Sequence, residues 1–175
     1  MRFDSIIDAV HSALEQELDL LAVLSAEYYR APTDGFYTSS VGMHLRHNIG
    51  HFTAFFDGLD VRRIDYECRE RNTMIEESRE VAAELIRKYM LQLDALRSHE
   101  EITLEVREES EAGVLHRDWL PSSLGRELQF LLGHTVHHNA LIAMIAHGRG
   151  VALPTSFGVA PSTQRYEQGK YPASS

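Results

Sequence analysis

The sequence has little of what marks secreted and membrane-spanning proteins. It contains one cysteine, Cys68, so no intramolecular disulfide can form and nothing indicates an oxidising compartment. No run reaches the roughly 18 apolar residues that a membrane span requires, and the N-terminal segment lacks a signal-type core. We therefore expect a soluble, cytoplasmic protein.

Basic residues are scarce as well. Lys and Arg number 17 against 26 Asp and Glu, which gives a formal net charge of −9 at pH 7. This charge repels nucleic-acid phosphates and anionic lipids, so we expect neither nucleic acid nor a membrane as a partner. The 175 residues, 43% of them apolar, suffice for one core. We predict a single domain over residues 1–175, with a loosely packed tail at 160–175.

The spacing of the apolar residues predicts a mainly helical protein. In four segments they recur at intervals of three and four, which is the pattern of amphipathic helices. The predicted helices cover residues 3–29, 41–59, 73–98 and 124–147. The predicted N-terminal caps are Asp4 or Ser5, Ser39 or Ser40, a capping box of Thr73 and Glu76, and Ser122 or Ser123.

Between the third and fourth helices the pattern changes to a period of two. Ile102, Leu104 and Val106 alternate with polar residues, which predicts a strand. A polar turn and residues 114–120 would return as its antiparallel partner, ending before Pro121. Residues 60–71 show no sustained period and are expected to form a connection. The predicted fold is an all-α, up-down four-helix bundle with one small hairpin before the last helix.

Six histidines lie in two of the predicted helices. They are His44, His47 and His51 in the second helix, and His134, His137 and His138 in the fourth. Residues three and four apart share a helical face, so each helix presents imidazoles to its apolar side. Burying polar groups without partners costs about 1–3 kcal/mol each, and a shared divalent ion removes much of this cost. Helix bundles build metal sites from side chains on facing helices.

The spacing favours His47, His134 and His138 as metal ligands. His134 and His138 form an i,i+4 pair, and the apolar neighbours of His47 point it inward. His51 lies one turn further along and is the alternative to His47. Three protein ligands leave an open position for water or substrate, as in catalytic zinc sites.

Three further residues are candidates for catalysis. Glu127 precedes His134 by seven residues on the same face, where it would orient a ligand or carry a proton. A carboxylate favoured by the helix dipole in the first turn is the alternative interpretation. Tyr66 and Arg71 follow the second helix and would line the mouth of the site, as proton-transfer or anion-binding groups. A solvated loop is the alternative for both.

The segments SVGMHLRHNIGHF (40–52) and HTVHHNALIAMI (134–145), in a helical chain of this length, resemble the DinB/YfiT-like superfamily of metal-dependent hydrolases and transferases. The resemblance implies a four-helix bundle and a divalent metal, zinc or nickel, on His47, His134 and His138. It also implies a homodimer. In some members the substrate is a low-molecular-weight thiol that is transferred to an electrophile.

Two classes of function follow. The first is a metal-dependent enzyme that activates water or a low-molecular-weight thiol, hence a hydrolase or a thiol S-transferase. The second is a non-catalytic metal- or ligand-binding bundle, with a stress-response or sensor role, in which an ion ties the second helix to the fourth. A di-iron site is disfavoured because no Glu stands three residues before His47, His134 or His138.

Overall fold

The computed structural model describes residues 3–33, 38–67, 72–107, 118–167 and 169, and this part of the chain is mainly helical, as predicted. The helices are α1 Asp4–Val23, α2 Ala26–Arg30, α3 Val41–Leu59, α4 Thr73–Glu77, α5 Arg79–Ala95, α6 Leu124–Gly148 and α7 Pro161–Glu167. The strands are β1 Arg63–Asp65, β2 Thr103–Arg107 and β3 Leu120–Ser123. Among these residues, no helix has the length and apolar character needed to cross a bilayer.

The long helices α1, α3, α5 and α6 share one apolar core. Helix α1 packs against α5 and α6, and α3 packs against the same two helices. Burial of each large apolar side chain stabilises the fold by about 1.5–3 kcal/mol. The side chains that fill this core include Ile7, Leu14, Leu45, Phe52, Ile86, Leu93, Leu128 and Ile142. The packing of α3 against α6 brings the two histidine-bearing helices together.

The predicted first helix is divided in two. Helix α1 ends at Val23, and the hydroxyl of Ser25 accepts the backbone N–H of Tyr28 at 3.2 Å to begin α2. Serine favours this capping position because its short side chain reaches the free N–H groups of the first turn. The prediction that Asp4 or Ser5 caps α1 was wrong, since Phe3 occupies that position without a side-chain hydrogen bond.

The predicted third helix is also divided, at Ser78. The Ser78 hydroxyl accepts the backbone N–H of Val81 at 3.3 Å and so caps the start of α5. A 3₁₀ turn at Leu96–Ser98 follows α5. The predicted capping box of Thr73 was wrong because Asn72 precedes α4 and accepts the N–H of Met74 at 3.1 Å. The short side chain of asparagine favours this role.

The two helices that carry the histidines begin as predicted. The hydroxyl of Ser40 accepts the N–H of Met43 at 3.1 Å, and α3 covers the predicted residues. The hydroxyl of Ser123 accepts the N–H of Arg126 at 3.4 Å at the start of α6. Both are serine caps that satisfy N–H groups of the first turn.

The strands form one three-stranded sheet in the order β1-β2-β3. Strand β2 has an antiparallel partner as predicted, with Val106 opposite Leu120. The predicted limits of that partner were wrong, because β3 begins at Leu120 instead of ending there, and residues 118 and 119 are not part of a strand. An edge strand tolerates Pro121 because its outer N–H groups need no partner. Strand β1 was missed; it pairs parallel to β2 in the segment expected to be a connection. The predicted turn and most of residues 114–120 lie outside the described residues.

The segment after α6 folds back onto the helices. Phe157 is 6% exposed, and the backbone N–H of Gly158 donates to Oε1 of Gln16 at 2.8 Å. Helix α7 then buries none of its residues. The packed part of this segment therefore ends before α7.

Candidate metal centre

Histidines of α3 and α6 meet at the interface of the two helices. The ring centroids of His51 and His134 are 3.8 Å apart, those of His47 and His51 are 4.7 Å apart, and those of His47 and His134 are 5.1 Å apart. One ligand nitrogen from each of these three side chains lies within 4.8 Å of the other two. The structure thus forms a three-histidine cluster from His47, His51 and His134.

The geometry of this cluster fits a divalent ion. Nitrogen ligands of a tetrahedral zinc site are separated by about 3.3 Å, so closure of the cluster needs ring movements of at most about 1.5 Å. Imidazole is a ligand type that suits zinc and nickel. His51 is buried and the other two are half-buried. The donor set is therefore held inside the fold while part of it remains accessible.

A backbone hydrogen bond determines the tautomer of His51. Its Nδ1 lies 3.0 Å from the carbonyl oxygen of His47. Because a carbonyl only accepts, Nδ1 carries the proton, and in the neutral ring the lone pair is on Nε2. Histidines that bind metals commonly donate their second nitrogen to a carbonyl or carboxylate in this way.

His138 lies beside the cluster. Its ring centroid is 4.8 Å from that of His47 and 4.5 Å from that of His134, so all three ligands predicted from the sequence are neighbours. Its Nδ1 is 3.0 Å from Nδ1 of His44, and one of the two nitrogens must donate to the other. Burial, followed by the charge of His137, lowers the pKa of His44. The role of His138 as a ligand stays a prediction.

The predicted catalytic residues Tyr66 and Glu127 are bonded to each other. The Tyr66 hydroxyl donates to Oε2 of Glu127 at 2.9 Å, and the Ser122 hydroxyl donates to Oε1. The Tyr66 ring lies 5.5 Å from the His51 ring, so Tyr66 borders the cluster. The roles predicted for Glu127, to orient a ligand or to carry a proton, stay predictions. Arg71 lies outside the described residues.

An open pocket of about 410 Å³ adjoins the cluster. All of its lining residues belong to α6, and one of them, His134, is also a member of the three-histidine group. Phe130 forms one wall, with its ring 5.6 Å from that of His134, and the guanidinium of Arg126 lies 5.9 Å above the Phe130 ring. A small molecule with an apolar body and a negative group matches this lining.

Sequence reasoning missed the polar residues behind the histidines. Asn48 donates from Nδ2 to Oε1 of Glu17 at 2.8 Å, and the Thr135 hydroxyl is 3.2 Å from Oδ1 of Asn48. The signal was available for Glu17, which follows Leu14 by three residues and precedes Leu21 by four, and so lies within the apolar stripe of α1.

Comparison with known proteins shows one partial similarity. No protein-family model matches the chain, and no solved structure matches it. The chain is 32% identical over 107 residues to "FK506-binding protein 5" of Rhizopus delemar. The similar region covers 59% of this chain and 27% of that protein, so the chain spans only about a quarter of the length of this relative.

Proposed function

We propose that this chain is a DinB-like four-helix bundle that binds one divalent metal ion through His47, His51 and His134, and that the bound ion serves a transferase or hydrolase reaction. The observation that carries the proposal is the group of three ligand nitrogens within 4.8 Å of one another. The packing of α1 and α3 against both α5 and α6 supports the bundle.

Three imidazole ligands would leave a fourth coordination position of a bound ion for water or a thiol. When bound, a divalent ion at such a site lowers the pKa of a water or thiol, so that a nucleophile is available at neutral pH. The carbonyl of His47 holds the His51 ring in the ligating tautomer. Tyr66 holds a proton in its hydrogen bond to Glu127 beside the His51 ring, where it can serve a reacting group.

The pocket beside His134 supports a small-molecule substrate. Arg126 and Phe130 would receive its negative and apolar parts, and a low-molecular-weight thiol is the first class to assay. Zinc and nickel are the proposed ions because imidazole ligands suit both. Homodimer formation also belongs to the proposal and is measured by analytical ultracentrifugation.

The second candidate is a non-catalytic metal-binding bundle. The observation that favours it is the position of His138, whose ring lies close to both His47 and His134. A fourth imidazole ligand would close the coordination sphere, and closed four-coordinate sites are structural. The ion would then join α3 to α6 without access for a substrate.

Metal analysis tests both candidates. Metal-free protein is loaded with zinc or nickel, desalted and measured by elemental analysis, beside the His134→Ala and His147→Ala variants. We expect one equivalent in the parent protein, loss in His134→Ala, and no change in His147→Ala, since His147 is exposed at the end of α6. Stoichiometric metal retained by His134→Ala would contradict the proposed site.

The visible spectrum of the Co²⁺ form separates an open site from a closed one. Addition of a thiol changes the absorption bands if the fourth position is open, because sulfur then joins the coordination sphere. A spectrum that does not respond favours the non-catalytic candidate. Turnover of a thiol with a model electrophile then tests the transferase.

A further inference from the structure

A chain of buried polar side chains crosses the interior directly behind the histidines. Glu17 of α1, Asn48 of α3 and Thr135 of α6 are each 0% exposed. Nδ2 of Asn48 donates to Oε1 of Glu17 at 2.8 Å. The Thr135 hydroxyl lies 2.8 Å from the carbonyl of Leu131 and 3.2 Å from Oδ1 of Asn48, so its proton is shared between two acceptors. These hydrogen bonds therefore link α1, α3 and α6.

Two of these three polar side chains are sequence neighbours of metal-binding candidates. Asn48 directly follows His47, and Thr135 directly follows His134. The contact of Asn48 with Thr135 thus spans the same helix interface as the His47–His134 ring pair, whose centroids are 5.1 Å apart. A rotation or a sliding movement of α3 against α6 would therefore break the Asn48–Thr135 contact and, at the same time, move the His47 and His134 rings apart.

Glu17 is the one ionisable member, and its surroundings favour the neutral acid. Burial raises the pKa of Glu17 to about 8, against the weaker opposing effect of the hydrogen bond from Asn48. Tyr29 of α2 supplies no compensating charge, because burial and then the charge of Glu17 raise its pKa. Its hydroxyl donates to the carbonyl of Ile75.

The hydrogen-bonding requirements agree with a neutral acid. Within the described part of the chain, Oε2 of Glu17 and Oδ1 of Asn139 are buried acceptors without a hydrogen-bond partner. Nδ2 of Asn139 donates at 2.9 Å to the carbonyl of Ala13, which in an α-helix also accepts the N–H of Glu17. An ionised Glu17 would leave Oε2 as a buried, charged acceptor without a donor, which disfavours the carboxylate.

We propose that Glu17 is a positioning residue for the metal centre: as a neutral acid it holds Asn48 and, through Asn48, Thr135, and so keeps His47 of α3 against His134 of α6. This inference rests on the proposed function, since its role is to align two of the metal-binding histidines. Glu17 touches neither the ion nor a substrate.

Two substitutions of Glu17 separate positioning from general stability. Glu17→Gln keeps an acceptor for Asn48 and replaces the acid O–H with an N–H donor. Glu17→Met keeps the length of the side chain but removes both the acceptor and the donor. Leu20→Ala is the matched control, because Leu20 is 1% exposed on the same helix and its truncation leaves a cavity without removing a hydrogen bond. Unfolding in urea shows how much each variant is destabilised.

The first readout is binding of Co²⁺ and its absorption spectrum. We expect Glu17→Met to weaken binding by about tenfold or more, as loss of outer-shell partners does, and to alter the spectrum. Glu17→Gln should stay within about twofold of the parent protein, and Leu20→Ala should lose stability without a change in affinity. Parent-like affinity and spectrum in Glu17→Met would overturn the inference.

The second readout needs no metal. In the metal-free protein, the nuclear Overhauser contact between ring protons of His47 and His134 should persist in Glu17→Gln and disappear in Glu17→Met. If the parent protein binds no ion, the proposed function fails, yet this contact still decides whether Glu17 positions the rings. If Glu17→Met does not fold, Thr135→Val removes the hydrogen bond from Thr135 to Asn48 at nearly constant side-chain volume. Unchanged metal affinity and an unchanged ring contact in that variant would overturn the inference.

Discussion

The Nδ1 nitrogen of His51 donates to the backbone carbonyl of His47 at 3.0 Å, one turn earlier in the same helix. One helix therefore supplies two metal-binding candidates together with the group that orients one of them. In this tautomer Nε2 is the nitrogen of His51 that can bind a metal. The tight grouping with His47 and His134 favours His51 as the third candidate ligand, although the spacing in α6 favoured His138.

Substitution of the two competing histidines decides the ligand set. We expect His51→Ala to abolish stoichiometric zinc binding, while His138→Ala, which removes a neighbour, should weaken it by no more than about a hundredfold. Competition with a chromophoric chelator measures both affinities, and the exposed His137→Ala variant is the control. The opposite order of effects would make His138 the ligand.

The bond from Tyr66 to Glu127 predicts a loss of stability. Both residues are 3% exposed, so Tyr66→Phe leaves a buried carboxylate oxygen without its donor. We expect the free energy of unfolding in urea to fall by about 1–3 kcal/mol. Tyr28→Phe is the control because that side chain is 44% exposed, and its effect should stay within about 0.5 kcal/mol. Equal stability of the two variants would show that the bond contributes nothing.

The buried acid predicts a pH dependence of stability. The pKa of Glu17 is about 8 in the folded state against 4.5 for an ordinary glutamate, so between these values the folded chain binds more protons than the unfolded chain. Stability should therefore fall as the pH rises through this window, by an amount on the order of 5 kcal/mol, and level off above it.

Glu17→Gln isolates this effect from the titration of the histidines. The difference in unfolding free energy between the parent protein and the variant, measured in urea at several pH values, should shift in favour of the variant as the pH rises. A difference that is independent of pH would mean that Glu17 does not titrate in this window.

The close approach of the C-terminal segment to α6 predicts a cost for Gly158→Ala. Gly158 has φ +68°, and a Cβ atom there would stand 2.5 Å from the backbone nitrogen of Ala140. Gly150→Ala is the control, since φ is +70° there but no atom lies within 4 Å of the added Cβ. The control should lose about 1–2 kcal/mol from the left-handed backbone alone. Thermal unfolding should show a larger loss for Gly158→Ala, and equal losses would mean that the close contact relaxes without cost.

The helices that carry the histidines were predictable because their signals are local. Serine caps at Ser40 and Ser123 precede periodic apolar segments, and each cap acts within one turn. The break at Ser25 was not predicted, because Leu24 and Tyr28 continue the apolar spacing across it. Strand β1 was missed because three residues show no period, and its partner β2 lies about 40 residues further along the chain.

By itself, the sequence determined the helical class, the limits of α3 and α6, and the set of histidines that share a face, since capping and helical periodicity depend on residues within a few positions of each other. Only the tertiary structure decided that His47, His51 and His134 form the tight group, that Glu127 bonds to Tyr66, and that Glu17 meets Asn48. The reason is physical. These contacts depend on the rotation and height of one helix against another, which the packing of the whole core sets.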